Sequence, residues 1–175
     1  MAKKFLMLIV LSLIAGCSSV AVPEGIVTVD GFDLNRYLGK WYEIARLDHS
    51  FERRLSRVSA EYSLREDGSV KVINRGFKAE KNKWNEIEGK AYFTGDPQRG
   101  ELKVSFFGPF YGAYNIIELD KDGYGYSLVC GPDRSYLWIL ARQPVLERRN
   151  LQMLVNKADS LGFDTSRLIF VEHGE

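Results

Sequence analysis

Gly39-Lys40-Trp41-Tyr42-Glu43-Ile44-Ala45-Arg46 is the stretch whose reading decides the fold. A glycine precedes two adjacent aromatic residues. The side chains then alternate, with Trp41, Glu43 and Ala45 on one side and Tyr42, Ile44 and Arg46 on the other. Period-two alternation with bulky aromatics predicts a β-strand, and Gly39 lets the chain turn sharply into it. A Trp at the start of the first strand of an all-β chain plugs one end of a barrel or fills the core of some other sandwich. The stretch alone leaves both open.

Downstream the same alternation recurs. Strands are expected over 58–65, 70–77, 84–94, 101–107, 113–120, 124–130 and 136–142. Between them stand short turns: Glu66-Asp67-Gly68-Ser69, Gly95 to Gly100, Gly108-Pro109, Lys121-Asp122-Gly123 and Gly131-Pro132-Asp133. Such turns join antiparallel neighbours, and no helix interrupts the series, so an up-and-down sheet is favoured. Phe32 to Leu38 suits a short helical turn capping one end. Only Glu147 to Leu161 carries a helical pattern, with Leu151, Leu154, Val155, Ala158 and Leu161 at three- and four-residue spacings and Gly162 as its stop. A short strand over 168–171 closes the chain.

Upstream the chain opens as a targeting signal. Lys3 and Lys4 precede an apolar run from Phe5 to Leu13, followed by Ile14-Ala15-Gly16-Cys17-Ser18-Ser19. Small residues before a cysteine resemble the bacterial lipoprotein box, which implies diacylation of the Cys17 thiol and cleavage before it. An ordinary signal peptide with an incidental Cys is the alternative. Ser18 after the cysteine resembles the sorting pattern for the outer membrane. The expected organisation is a lipoprotein signal peptide over 1–16, acylated Cys17 and a tether over 17–31, and one domain over 32–175. A single acyl chain binds a membrane only marginally, whereas several hold it. Residues 18–31 are small, polar and β-branched, with Pro23 and Gly25, in keeping with a tether.

The 175 residues are 45% hydrophobic and 27% charged, with a net charge of +1, which suits one domain with a sizeable core. Without a long basic run, a nucleic-acid partner has little support. No stretch approaches the roughly 20 apolar residues of a membrane-spanning helix. Of the 2 cysteines, Cys17 is claimed by lipid and Cys130 stands alone, so no intramolecular disulfide is expected.

Strand count, Gly39-Lys40-Trp41-Tyr42, the turn Asp133 to Tyr136, Arg142 at the end of the eighth strand and one helix after it together resemble the lipocalins. With the lipoprotein box, the chain is similar to that family's bacterial outer-membrane lipoproteins. The three segments match the family's three motifs, except that Pro132 stands where Thr is common. The similarity spans nearly all of 32–171. It implies an all-β fold: an eight-stranded up-and-down antiparallel β-barrel, or calyx, with one C-terminal α-helix packed outside and a short final strand. Gly39, Trp41 and Arg142 become structural residues. Trp41 floors the closed end and the Arg142 guanidinium stacks on its indole, a contact worth on the order of 1–2 kcal/mol. Trp138 and Tyr136 then share the inner face, nearer the mouth.

Enzyme chemistry has thin support. The 2 histidines, His49 and His173, offer no His-rich metal site, and no nucleophile elbow, P-loop or dinucleotide fingerprint is present. No catalytic residue, metal or cofactor is expected. Cys130 is the one candidate nucleophile, because some lipocalins use a pocket thiol; a buried inert thiol is the commoner state. A binding module instead needs apolar walls and a few polar groups, which 10 Phe, 9 Tyr and 3 Trp can supply.

Trp138, Tyr136, Phe106 and Tyr111 are the candidate ligand contacts. Arg53, Arg54, Arg57, Lys78, Lys81 and Lys83 sit on loops, as solvated charge or facing a carboxylate or phosphate head group. Burying about 14 methylenes gives an upper bound near 11 kcal/mol, at roughly 0.8 each, before ordering costs. The expectation is an outer-membrane, lipid-anchored protein facing the periplasm, binding a fatty acid or lysophospholipid in envelope maintenance. A lipid-acting enzyme using Cys130 and a filled-barrel structural lipoprotein are the alternatives. A homodimer is left open.

Overall fold

The computed structural model describes residues 20–174. The signal peptide read over 1–16 and the acylation site Cys17 lie outside the described residues. Nine strands are formed: β1 Gly39–Arg46, β2 Ser56–Leu64, β3 Val70–Lys78, β4 Lys83–Phe93, β5 Glu101–Phe107, β6 Phe110–Leu119, β7 Tyr126–Cys130, β8 Leu137–Ala141 and β9 Ile169–Phe170. From β2 to β8 each pairs antiparallel with its sequence neighbours, and β1 pairs with both β8 and β2. The sheet therefore closes into an eight-stranded antiparallel barrel with β9 added outside, and closure removes the exposed edges of an open sheet.

Turn chemistry sets the two ends. At the closed end the β2–β3 turn holds Gly68 at φ 78°, with Asp67 Oδ1 accepting from Ser69 N at 3.0 Å. The one-turn helix α1, Leu34–Tyr37, caps this end, with Asn35 N donating to Asp33 Oδ1 at 2.9 Å. Gly39 enters β1 at φ 91°, where a side chain would be strained. At the other end lie the long loop 47–55 and the β3–β4, β5–β6 and β7–β8 connections. β6 starts at Phe110, earlier than alternation predicts, because the Gly108-Pro109 turn pairs Phe107 with Phe110.

One register shift changes the inside of the barrel. Tyr42 and Glu43 face Ala141 and Leu140 of β8, but Ala45 faces Ile139, so Ile44 is an extra residue in the ladder. Strict alternation would have put Ala45 inside and Arg46 outside. The bulge reverses this: Trp41, Glu43 and Arg46 turn to the lumen while Ala45 joins the outer apolar layer.

That outer layer is covered by α2, Arg148–Ser160, which buries Leu154 and Ala158 against Leu128, Leu137 and Ile139. Full burial of a side chain the size of Leu154 contributes about 1.5–3 kcal/mol. Gly162 at φ 82° ends the helix, and Phe163 N donates back to the Ala158 carbonyl at 3.2 Å. Residues 22–31, expected as a tether, also lie on this wall. Ile26 and Thr28 are buried, Val29 N donates to the Ile116 carbonyl and Asp30 bridges Arg99. Their β-branched side chains, read as spacer composition, supply packing instead. β9 takes the edge of β1 that β2 leaves, and the tail continues the seam: Arg57 N donates to the Glu172 carbonyl at 2.8 Å.

Candidate ligand-binding calyx

The floor of the lumen is built on Trp41, which is fully buried. Its Nε1 donates to the Tyr37 carbonyl at 2.8 Å, and the Arg142 guanidinium stands 4.0 Å over its ring. Arg142 also donates to the carbonyls of Arg36 (2.7 Å), Lys40 (3.0 Å) and Tyr124 (3.3 Å). It thus clasps α1, β1 and the β6–β7 turn across the barrel bottom. Above the indole the hydroxyls of Tyr37, Tyr62 and Tyr114 form a chain, 2.8 and 2.9 Å apart, which ends on Ser127 Oγ at 3.3 Å. Burial pushes the Tyr37 phenol up to about 12, against its hydrogen bonds with Ser127, to which it donates, and Tyr114, and raises Tyr62 and Tyr114 as well. These phenols stay neutral at any physiological pH.

Above them the wall is apolar: Val58, Val70, Val72, Ala91, Leu102, Val104 and Leu140 line a chamber of about 110 Å³. The chamber shares Phe51, Glu52, Val58, Asn74, Val104, Phe106, Ala113 and Trp138 with a vestibule of about 870 Å³ that opens at the mouth. The two adjoin through these shared walls, and the vestibule is within the size range of small-molecule sites. Two glycines shape it. At Gly89 a Cβ would lie 2.6 Å from the Phe106 ring, so its absence lets that ring lie against the wall. At Gly112, opposite Val104, a Cβ would meet nothing within 4 Å, so this part of the mouth stays open.

Between chamber and vestibule sits a buried charged cluster. Arg46 Nη1 donates to Glu43 Oε1 at 2.5 Å, and its Nη2 donates to the Glu52 carbonyl at 3.0 Å. Glu52 Oε2 accepts from Trp138 Nε1 at 3.1 Å and lies 3.0 Å from His49 Nε2. That last contact is close but poorly aligned: neither His49 ring nitrogen has a well-directed hydrogen-bond partner, and Arg46 Nε has none either. The two carboxyls are driven apart. Burial first, then the charge of Glu52, raises Glu43 well above the usual carboxylate range despite Arg46. Burial also pushes Glu52 upward, but His49, Trp138 and Arg46 outweigh it and hold Glu52 below its ordinary value. Glu43 thus holds a proton more tightly than Glu52.

The four residues expected to contact ligand fall in different places. Trp138 and Phe106 line both chamber and vestibule, whereas Tyr136 and Tyr111 border the vestibule only. Tyr136 stacks toward Trp138, with ring centroids 6.2 Å apart. The Tyr111 ring turns to the outer wall, where Lys103 Nζ sits 5.0 Å over it and Tyr92 is 6.2 Å away, so only its edge meets the vestibule.

Cys130 corrects the pocket-thiol alternative. Val129 of β7 points inward and Cys130 outward, into the layer beneath α2 with Leu137 and Leu154. Burial pushes its thiol up to about 12. It has neither access to the lumen nor a thiolate at neutral pH.

Sequence reasoning missed Glu43, Arg46, His49 and Glu52 as a unit, and the three tyrosines as a chain. Glu43 carried a signal, since it shares its face with Trp41; Arg46 carried none, because the bulge moves it.

A barrel floored by a Trp–Arg stack, enclosing an apolar chamber and covered by the helix α2, matches known proteins. A family model described as a lipocalin-like domain covers residues 32–173. The chain belongs to the lipocalin-like family. It is 54% identical over 160 residues to the outer membrane lipoprotein Blc of Citrobacter freundii, covering 91% of this chain and 90% of that one. It has the same identity, over 91% and 92%, to the protein so named in Vibrio cholerae. Among solved lipocalin folds, insecticyanin of the tobacco hornworm Manduca sexta superposes with a TM-score of 0.72 at 23% identity, covering 88% and 87% of the two chains. For a lipocalin of this kind, hydrophobic ligand binding is the activity that the calyx is built for.

Proposed function

We propose that this lipocalin is an outer-membrane lipoprotein, anchored through Cys17 on the periplasmic side, that carries a single-chain lipid. The cargo is a fatty acid or lysophospholipid, held for storage or transfer during envelope maintenance. The observation that carries this reading is an apolar chamber adjoining a wider vestibule, whose wall includes Lys83 beside the Arg75–Glu86 ion pair. An acyl chain entering tail-first meets Phe106, Trp138, Val104 and Leu140, while its anionic head group stays near Lys83 in the vestibule. Tyr136 and the edge of Tyr111 border the same path. A head-first ligand would bring a second negative charge to Glu52, which is already anionic. The names of the Blc relatives support the membrane assignment, and the Lys3-to-Cys17 pattern supports the anchor.

Titrating the delipidated protein with a lysophospholipid and a matched fatty acid, followed by tryptophan fluorescence in the parent and in Trp138→Phe, tests the proposal. Saturable binding with a signal that fades in the variant supports it. A folded protein that binds neither lipid overturns it and leaves a filled barrel.

A further inference from the structure

The amino-terminal segment joins the barrel wall between its two ends. Asn115 Nδ2 donates to the carbonyls of Ala21 (3.3 Å) and Gly131 (3.1 Å), and Arg134 Nη2 donates to the Glu24 carbonyl at 2.9 Å. Gly131 opens the β7–β8 loop and lines the vestibule. From there the segment runs away from the mouth. Gly100 N donates to the Val29 carbonyl, and Phe32 N donates to the Gln98 carbonyl in the β4–β5 turn at the closed end.

Cys17 precedes Ala21 by four residues, a span of at most about 14 Å. Asn115, which holds Ala21, lies five residues from the mouth end of β6 and four from its closed end, a rise of about 13 Å and about 10 Å along a barrel axis to which strands tilt by roughly 40°. An acyl group on Cys17 therefore reaches a bilayer at either end, and the surface chemistry of the vestibule side decides between them.

What stands at that side is suited to a lipid surface. Phe51, Trp84, Phe107 and Phe110 ring the vestibule with 60%, 52%, 72% and 77% of their surface exposed, an unusual concentration of aromatic rings in water. The acids nearby, Glu80 on the β3–β4 turn and Glu86 in β4, are taken by Arg54 and Arg75. Lys78, Lys81 and Lys83 form no ion pair among the described residues. Exposed aromatics beside uncompensated lysines are the composition of a membrane-interface anchor.

We propose that the barrel mouth docks on an anionic phospholipid bilayer. Phe51, Trp84, Phe107 and Phe110 enter the boundary between head groups and acyl chains, Lys78, Lys81 and Lys83 meet the phosphates, and the vestibule opens directly onto lipid. The inference rests on the anchored-carrier reading for the acyl group on Cys17. It adds the direction in which the cargo enters and leaves.

The test uses the mature acylated protein in vesicles of phosphatidylethanolamine and phosphatidylglycerol, with its mass measured first. Nitroxide labels go on Phe110→Cys at the mouth and, in a second sample, on Glu66→Cys in the β2–β3 turn; Cys130 is buried and does not compete. The expected result is a label at 110 that collides with oxygen but not with a water-soluble nickel chelate, and a label at 66 that collides freely with nickel. Replacing phosphatidylglycerol with a neutral lipid, or introducing Lys78→Gln, Lys81→Gln and Lys83→Gln, lowers the immersed fraction at 110, by about fivefold per lysine. Both labels exposed to nickel, on protein whose mass shows the acyl groups, overturns the docking and leaves the carrier reading intact. A mass without acyl groups removes the anchor and this inference with it. A label at 110 shielded from oxygen and nickel alike, with line broadening that grows with protein density, overturns it in favour of a second copy at the mouth. Full immersion that ignores lipid charge and the lysine replacements overturns the charge pairing.

Discussion

Arg142→Ala removes the clasp at the closed end. In the native barrel this side chain stacks 4.0 Å over Trp41 and donates to three backbone carbonyls from separate segments. Charged hydrogen bonds contribute roughly 1.5–3 kcal/mol each where buried. Arg142 is only half-buried, so less than the full sum applies. With about 1 kcal/mol from the stack, the expected loss is about 3–4 kcal/mol. For a domain of this size each kcal/mol moves Tm by about 2–4 °C, so Tm should fall by about 6–16 °C. Arg142→Lys keeps the charge but not the planar fork and should recover less than half. Urea unfolding followed by tryptophan fluorescence measures the free energy, and calorimetry measures Tm. A loss under about 1 kcal/mol in Arg142→Ala, or full recovery by Lys, would show that the clasp does not hold the floor.

Three further outcomes follow from the lumen and its surroundings. Glu43, raised by burial from its ordinary 4.5, binds its proton more tightly folded than unfolded, so its contribution to stability is present at low pH and lost as pH rises above 4.5. Glu43→Gln should therefore gain stability relative to the parent as pH rises, whereas Glu52→Gln should lose it; urea midpoints from about pH 4 to about pH 8 decide. Gly89→Val places carbon 2.6 Å from the Phe106 ring and 2.7 Å from the Ser105 carbonyl. It should destabilise by about 1–3 kcal/mol and weaken acyl-chain binding, as read by denaturation and lipid titration. Cys130→Ser should bind lipid unchanged and lose about 1–3 kcal/mol of stability, because a hydroxyl enters an apolar layer; altered binding would return the thiol to the pocket.

The barrel was legible because alternation and turn residues act locally. Trp138 and Arg142 share a face by counting alone, and Trp41 joins them once the sheet closes, as the lipocalin resemblance implied. Glu43 was legible as facing inward, but not its raised hold on a proton, which comes first from burial and then from Glu52 arriving from a loop nine residues on. Arg46 was misplaced because a one-residue bulge at Ile44 leaves no mark in hydrophobic periodicity. Cys130 illustrates a different limit. Whether it or Val129 faces inward depends on the pairing of β7 with β8, Val129 opposite Trp138 and Cys130 opposite Leu137, and register is a property of two strands together. Residues 22–31 looked like spacer because packing on an outer wall needs only a few small apolar groups, which a tether also contains.

The central claim, an acyl chain lying tail-inward in the calyx, is tested most directly with fatty acids carrying a nitroxide near the carboxylate or near the chain end. Amide line broadening would be mapped in the isotope-labelled protein. The account predicts that the chain-end label broadens Val70, Val72 and Leu102 around the chamber, while the label near the carboxylate broadens Lys83, Phe106 and Gly112 around the vestibule. The reverse pattern, or broadening confined to the outer rim with both labels, would contradict it.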